Sequence, residues 1–250
     1  MAANTQAFGA LPLAGHFILD AIRSVIALET TGINTGLNVA TPIGLWGYSG
    51  GAQATLWAAE QHAAYAPELN IVGTVAGGAG VDLVSSPHMY DGGDFLGGIP
   101  FGSVIGLTRA FPEIDLSVVT AQGKALMAAA ADMRAEQLLM SFPFIRLSDY
   151  LTVASVLDIP GMRTALEAIR LGKATPIAPM YLYHAVHDKY PAIADVDKLV
   201  AKYRGEGVDV TYKRFRVGGH VLVIFTGIPG VLRFLTNRFQ SKTDSGTTAI

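Results

Sequence analysis

The chain has 250 residues, with 20 acidic against 18 basic side chains, 28 glycines, no cysteine and half of its residues apolar. A formal net charge of -2 provides no field for gripping phosphates, which argues against general nucleic-acid binding, and a charged fraction of only 15 % excludes a disordered chain. Without cysteine there is no thiol catalysis, disulfide staple or cysteine-ligated zinc, and the length suits one large α/β domain or a domain with a substantial insertion.

Leu13 to Leu28 reads as a helix, with Leu13, Phe17, Ala21, Ile22, Val25 and Ile26 on one face and Asp20 and Arg23 opposite. After a turn-rich loop from Gly32 to Gly36, Ile43 to Tyr48 predicts a buried strand. Ala52 to Ala64 predicts a helix closed by Pro67, and Asn70 to Val75 a second buried strand ending in Ala76-Gly77-Gly78. From about Asp82 the texture changes. Ser85 to Phe101 is loop-like, and Ser117 to Phe142 predicts a long helix in which Leu126, Met133 and Met140 recur every seven residues. Leu147 to Leu157 and Gly161 to Leu171 predict two shorter helices around Pro160. Strand texture returns at Pro179 to Val186, followed by a helix (Ala194 to Arg204), a strand (Val208 to Val217) and a last helix (Gly230 to Phe239). Ser241 to Ile250 is a polar tail expected to be mobile.

This alternation predicts an α/β fold with a mainly parallel sheet of about four strands covered on both faces. Residues 1–81 and 172–240 form the core, 82–171 a helical insertion and 241–250 the tail. The uncharged stretch from Thr31 to Ala59 holds Pro42, Asn34, Asn38, Ser49, Gln53 and several glycines, so it predicts a strand and helix rather than a transmembrane segment. Met1 to Gln6 carries no basic residue ahead of apolar ones, so no signal peptide is expected in this chain.

Gly47-Tyr48-Ser49-Gly50-Gly51 fits the G-x-S-x-G elbow, between a predicted strand and a predicted helix. A nucleophile on so sharp a turn is held in strained dihedrals, and the residues two before and two after it must be small for the chains to pass. The following helix aims its amides at the site, and the Gly50 N–H is placed to donate to a developing oxyanion. A serine needs a base to take its proton, and the base needs an orienting carboxylate. Asp188 and His220 each stand just past a predicted strand and follow Ser49 in the order serine, acid, histidine. Asp82, after the second strand, is the rival acid. Asp195 and Asp197 begin a helix, where capping explains them, and Asp209 comes too early in its strand. His16 and His62 are expected to be partly exposed on helices, and His88 lies in the insertion, where it could line a substrate channel. His184 and His187, three apart on a strand, face opposite ways and make a poor metal pair.

The run Gly47-Tyr48-Ser49-Gly50-Gly51-Ala52, then Tyr65-Ala66-Pro67-Glu68-Leu69-Asn70-Ile71-Val72-Gly73, then Ala76-Gly77-Gly78, resembles the secretory lipase family typified by Candida lipase A. The spacing from Ser49 to Asp188 to His220, Pro179 ahead of its strand and the helix from Pro229 to Phe239 agree with that family, and the resemblance spans about Leu11 to Phe239. It implies the C-terminal portion of an α/β-hydrolase fold with a helical cap, and hydrolysis of triacylglycerols and simpler esters. By position it makes Ser49 the nucleophile, Asp188 the acid, His220 the base and Gly50 one oxyanion donor. It implies no metal or organic cofactor. It also implies a lipid or ester substrate, contact with a lipid interface, and an extracellular or cell-envelope location; the charge balance already argues for no nucleic acid.

Only 48 residues precede Ser49, and they contain one clear helix. The family's earlier strands and its second oxyanion donor have no counterpart in this chain. The expectation is a fragment of a longer lipase or a shortened protein that has lost catalysis, with the nucleophile strand at a sheet edge and weak activity alone. Two alternatives remain beside ester hydrolysis: a catalytically dead relict that binds lipid or a partner through exposed apolar surface, and an acyltransferase using the same three residues.

Overall fold

The structure is a computed structural model of the 250-residue chain and describes residues 9–86 and 88–244. Four strands, β1 (Ile43–Tyr48), β2 (Ile71–Gly77), β3 (Met180–Ala185) and β4 (Val210–Phe215), form one sheet in the order β1-β2-β3-β4, and every neighbouring pair is parallel. Tyr48 pairs with Gly77, Gly77 with Tyr183, and Ala185 with Phe215. The strands therefore end at a common rim, and the loops after β1, β3 and β4 leave from it, which is where open α/β sheets build their sites. β2 and β3 are buried along their whole length and read as near-continuous apolar runs, as parallel strands covered on both faces must. β1 lies at the sheet's edge, with Trp46 exposed.

Helices α1 (Leu11–Ala27) and α2 (Gly50–Tyr65) flank β1. Helices α3 (His88–Asp91), α4 (Gly98–Ala110), α5 (Ala121–Ala130), α6 (Ala135–Ser141) and α7 (Met162–Ala168) follow β2. Helix α8 (Ile193–Gly205) follows β3, and α9 (His220–Thr226) and α10 (Ile228–Asp244) follow β4. The chain divides into two compact units. Among the described residues, one comprises Pro12–Val81 and residues 171–244 and contains the sheet; the other comprises residues 9–11 and residues 82–170 and is helical.

In the sheet unit, Leu19 of α1 packs with Leu45, Ala58, Leu69 and Ile71, joined by Ile18, Ile22 and Ile26. A second cluster unites Val75, Tyr181, Tyr183 and Ala185 with Val223 and Val231 of α9 and α10. The face of α1 is the predicted one only in part, since Ile22 and Ile26 pack on the core. Leu13 and Phe17 are exposed, Phe17 by 64 %, and the buried row is Leu11, Gly15 and Leu19. α1 is amphipathic: Leu11, Ile18 and Ile22 lie near the centre of its apolar arc, whereas Leu13 and Phe17 fall at its margin beside Asp20 and Ser24. A Cβ on Gly15 would lie 2.5 Å from Gln61 Oε1 and 2.9 Å from Ala58 N, so the glycine lets α1 press onto α2. Arg23, expected to face water, donates to Glu68 Oε1 (2.6 Å) and the Tyr65 carbonyl (2.6 Å), and Tyr65 Oη donates to Asp20 (2.8 Å). The helix Leu11–Thr31 is long and apolar enough to cross a membrane by length and composition. The polar ties join its middle to Tyr65 of α2 and to Glu68.

The helical unit departs most from its sequence reading. The long helix predicted from Ser117 to Phe142 is broken into a 3-10 turn (Leu116–Val118), α5 and α6. Thr120 caps α5 by accepting from the Gly123 amide at 3.1 Å, and Gln137 Oε1 accepts from the Arg134 amide at 2.9 Å to start α6 afresh. The heptad pattern does not describe burial: Met140 is exposed, and Leu138 is the residue of α6 that is buried. The segment predicted as a helix from Leu147 to Leu157 forms two 3-10 turns, Leu147–Tyr150 and Val156–Asp158. α4, whose first four residues fall inside the predicted loop, is glycine-rich for packing rather than for turning: a Cβ on Gly98 would lie 2.1 Å from the Leu138 carbonyl of α6. α10 continues to Asp244, past the Ser241 at which the sequence places a polar tail; residues 245–250 lie outside the described residues, as do residues 1–8.

Candidate active site

Ser49 sits between β1 and α2 with φ 53° and ψ -120°, a left-handed conformation that a serine adopts only under constraint. Two main-chain bonds hold it there. Ser49 N donates to the Gly77 carbonyl at 2.8 Å, and Gln53 N donates to the Ser49 carbonyl at 3.1 Å. Gly47 is sterically required: a Cβ there would lie 2.1 Å from the Gly51 carbonyl and 2.6 Å from Thr55 Oγ1. Gly51 is not, since a Cβ on it or on Gly50 meets nothing within 4 Å. The tightness expected on both sides of the serine therefore falls on its N-terminal side alone. Gly50 opens α2 and is exposed, so its amide belongs to the first turn, where helical N–H groups lack intrahelical partners.

The loop after β3 delivers Asp188 and the loop after β4 delivers His220, the first residue of α9. His220 Nδ1 lies 2.8 Å from Asp188 Oδ2, and its Nε2 lies 2.9 Å from Ser49 Oγ. The carboxylate can only accept, so Nδ1 carries the proton and Nε2 is left to accept from the serine hydroxyl. The Asp188 side chain is fully buried and that of His220 is 9 % exposed. Asp188 Oδ1 accepts from the Tyr190 amide at 2.9 Å, and the Tyr190 ring meets the imidazole edge-on at a centroid distance of 5.4 Å.

The structure thus brings Ser49, Asp188, His220 and the Gly50 amide to one rim and leaves the other candidates elsewhere. Asp82 accepts from the Val84 amide (3.0 Å) and pairs with Arg170 (3.4 Å) in the helical unit. Asp195 pairs with Lys198 (3.0 Å), Asp197 accepts from Tyr212 Oη (2.9 Å), and Asp209 lies 3.7 Å from Arg238. His62 is buried, not partly exposed, with Nε2 2.9 Å from the Leu69 carbonyl, because α2 is covered on that face; His16 stacks on Tyr65 at 4.0 Å. The side chain of His88 lies outside the described residues. Among the described residues no group of three or more His, Asp or Glu side chains is arranged to hold a metal ion.

Two residues next to the site carry no catalytic signal in the sequence. His184 is completely buried on β3, 3.7 Å from Asp188 Oδ2, with Nε2 3.1 Å from the Pro191 carbonyl. Burial pulls its pKa down, so it is held neutral, with the Nε2 proton donated to Pro191. Tyr48 occupies the variable position of the elbow, beside His220.

The Secretory lipase family profile matches residues 4–246. The chain is 34 % identical over 233 residues to "Probable inactive lipase MT1628" of Mycobacterium tuberculosis, covering 91 % of this chain and 51 % of that protein. It is 30 % identical to "Secreted triacylglycerol lipase LIP5" of Malassezia furfur, covering 95 % of this chain and 64 % of that one. The crystal structure of Candida antarctica lipase A in its closed state superposes with a TM-score of 0.80 at 25 % identity, over 94 % of this chain and 56 % of the other. This shows the α/β-hydrolase fold. The chain spans about half the length of the curated relatives it matches.

Proposed function

Because this chain belongs to the secretory lipase family, we propose that it is a carboxylic-ester hydrolase acting through Ser49, His220 and Asp188 on lipid-like esters. One observation supports the reading above the others: a single imidazole lies 2.9 Å from a strained serine hydroxyl and 2.8 Å from a buried carboxylate. Ser49 Oγ attacks the ester carbonyl carbon as its proton passes to His220 Nε2, and Asp188 compensates the imidazolium that forms. The Gly50 amide donates to the oxyanion. As the tetrahedral intermediate collapses, the carbonyl re-forms, the alcohol oxygen leaves with the proton from Nε2, and an acyl-serine remains. Water, deprotonated by the same nitrogen, attacks the acyl carbon and releases the carboxylic acid and the free serine. The helical unit is the segment that the family resemblance makes a cap, and its apolar helices are candidates for holding the acyl chain. The word "secreted" in the Malassezia relative's name supports an extracellular setting.

A second reading, a chain that binds lipid without turning it over, is favoured by the name of the mycobacterial relative and by the exposed Val217, Val221, Leu222 and Phe225 around His220. A fluorophosphonate probe and p-nitrophenyl butyrate separate the two. The hydrolase reading expects labelling and hydrolysis by the wild-type chain, with labelling abolished and hydrolysis reduced to the uncatalysed background in Ser49→Ala. A folded wild-type chain that takes no label favours the second reading.

A further inference from the structure

We infer that Tyr48, the residue before the nucleophile, is a positioning residue for His220: its hydroxyl donates to the His220 main-chain carbonyl at 2.5 Å, and its ring packs 5.3 Å from the imidazole. The inference deepens the hydrolase reading and rests on it for its kinetic consequence.

The base needs such an anchor. His220 is preceded by Gly218, at φ 91°, and Gly219, and Val217 before them is 79 % exposed, so the approach to α9 has little side-chain packing to fix it. Bonds to Asp188 and Ser49 orient the ring, but they do not fix the Cα from which the ring hangs. Within α9, Val223 is buried against the sheet. The Tyr48 hydroxyl adds a hydrogen bond at the base itself, on a carbonyl whose second lone pair is free to accept beside a helical N–H.

Tyr48 is well placed to supply it. It is the last residue of β1, in register with Gly77, and its ring lies 5.8 Å from that of the buried Tyr183. The next residue of the neighbouring segment, Gly78, has φ 60°, and a Cβ there would lie 2.9 Å from Tyr48 Oη, so the glycine keeps the hydroxyl's space open. Burial, helped by the Asp188 charge, raises the phenol's pKa well above the ordinary value, so the group stays a donor throughout the working range of an ester hydrolase. One strand end thus carries the nucleophile at one residue and clasps the base at the residue before it. Serine and imidazole are tied to the same piece of sheet.

Tyr48→Phe keeps the ring and removes the donor; 4-aminophenylalanine at position 48 returns an N–H donor to the same place. In Tyr48→Phe, kcat for p-nitrophenyl butyrate and the fluorophosphonate labelling rate should fall by about tenfold with KM within about twofold, the scale of a small misplacement of a catalytic group. The amino variant should recover most of that loss. Independently of turnover, the wild-type chain should show a far-downfield proton resonance from His220 Nδ1–H, assigned by its loss in His220→Asn. That resonance should exchange faster with water in Tyr48→Phe and return in the amino variant. Unchanged labelling and an unchanged resonance in Tyr48→Phe overturn the inference, as does absence of the resonance from the wild-type chain. If Tyr48→Phe also lowers the melting temperature, the amino variant decides: failure to recover the labelling rate and the resonance overturns it. If the wild-type chain takes no label at all, the hydrolase reading fails by itself and the resonance alone judges the clasp.

Discussion

The sheet unit and the helical unit are held together by different kinds of interaction. In the first, segments far apart in the chain are joined by parallel main-chain ladders and by buried side-chain pins, of which Glu60 makes the most bonds. Glu60 of α2 accepts from the amides of Gly172 (2.7 Å), Lys173 (2.9 Å) and Ala174 (3.1 Å) and from Tyr203 Oη (2.5 Å). In the second, short helices are started by neighbours in sequence: Asp115 accepts from the Ser117 amide, Thr120 from Gly123, and Ser155 from Leu157. Its strand-like pairing amounts, among the described residues, to the isolated bridges Gly92–Arg146 and Val119–Leu151. Long-range register fixes positions to fractions of an ångström, which a proton-transfer chain requires, whereas locally capped helices tolerate change one at a time. The candidate site sits wholly on the first kind of frame.

The sharpest way to break this contrast is through the Glu60 pin. Glu60→Ala strands three main-chain amides and a hydroxyl in a buried site. Tyr203 cannot relieve this by ionising, because burial, the largest cause of its raised pKa, persists when the carboxylate is gone. The expected loss is about 4 kcal/mol, read from urea midpoints. A loss under about 1 kcal/mol would show that the strand ladders alone hold the frame. In the helical unit a comparable test is Gly98→Ala, whose Cβ meets the Leu138 carbonyl at 2.1 Å. Forcing α4 and α6 apart should cost about 2 kcal/mol in the same assay.

The same contrast explains what could be read from the sequence. β1, β3 and α8 lie within a residue or so of their predicted limits, the two strands because each is a short apolar run closed by turn residues; β1, predicted as buried, is mostly half-buried because it lies at the sheet's edge. Ser49, Asp188 and His220 are legible because each follows such a strand and the elbow pattern marks the first of them. α9 is not. Its sequence, His220 to Thr226, is a β-branched and aromatic run after two glycines that nothing local marks as a helix; the burial of Val223 on the sheet decides it. The broken helices of the second unit are missed because Thr120 and Gln137 act as caps only once the chain has turned. Tyr48 and His184 are illegible as neighbours of the site for another reason: what they meet there is a carbonyl 172 positions away and a carboxylate in the next loop.

His184 gives a smaller effect, and its sign follows from burial. Desolvation lowers its pKa below the ordinary value of 6.5, so the unfolded chain binds the proton first as the solution is acidified. Its contribution to stability is therefore complete above about pH 6.5 and declines below that, by at most about 1.4 kcal/mol per pH unit for one proton. Urea midpoints between pH 7 and 5 should fall for the wild-type chain and fall less steeply for His184→Asn. Equal slopes would mean that the imidazole is protonated in the folded chain, paired with Asp188.

The smallest expected effect tests the locally capped side of the comparison. Thr120 Oγ1 satisfies the Gly123 amide, and nothing else in the first turn of α5 performs that task for it. Thr120→Ala should cost about 1 kcal/mol, the ordinary worth of an N-cap. If capping in this unit is local, the loss should appear as faster hydrogen exchange at the first amides of α5, with the amides of β2 and β3 keeping their wild-type protection. Uniform loss across both units would mean that they unfold as one, and that the helices of the second unit draw on the same cooperative stability as the sheet that carries Ser49.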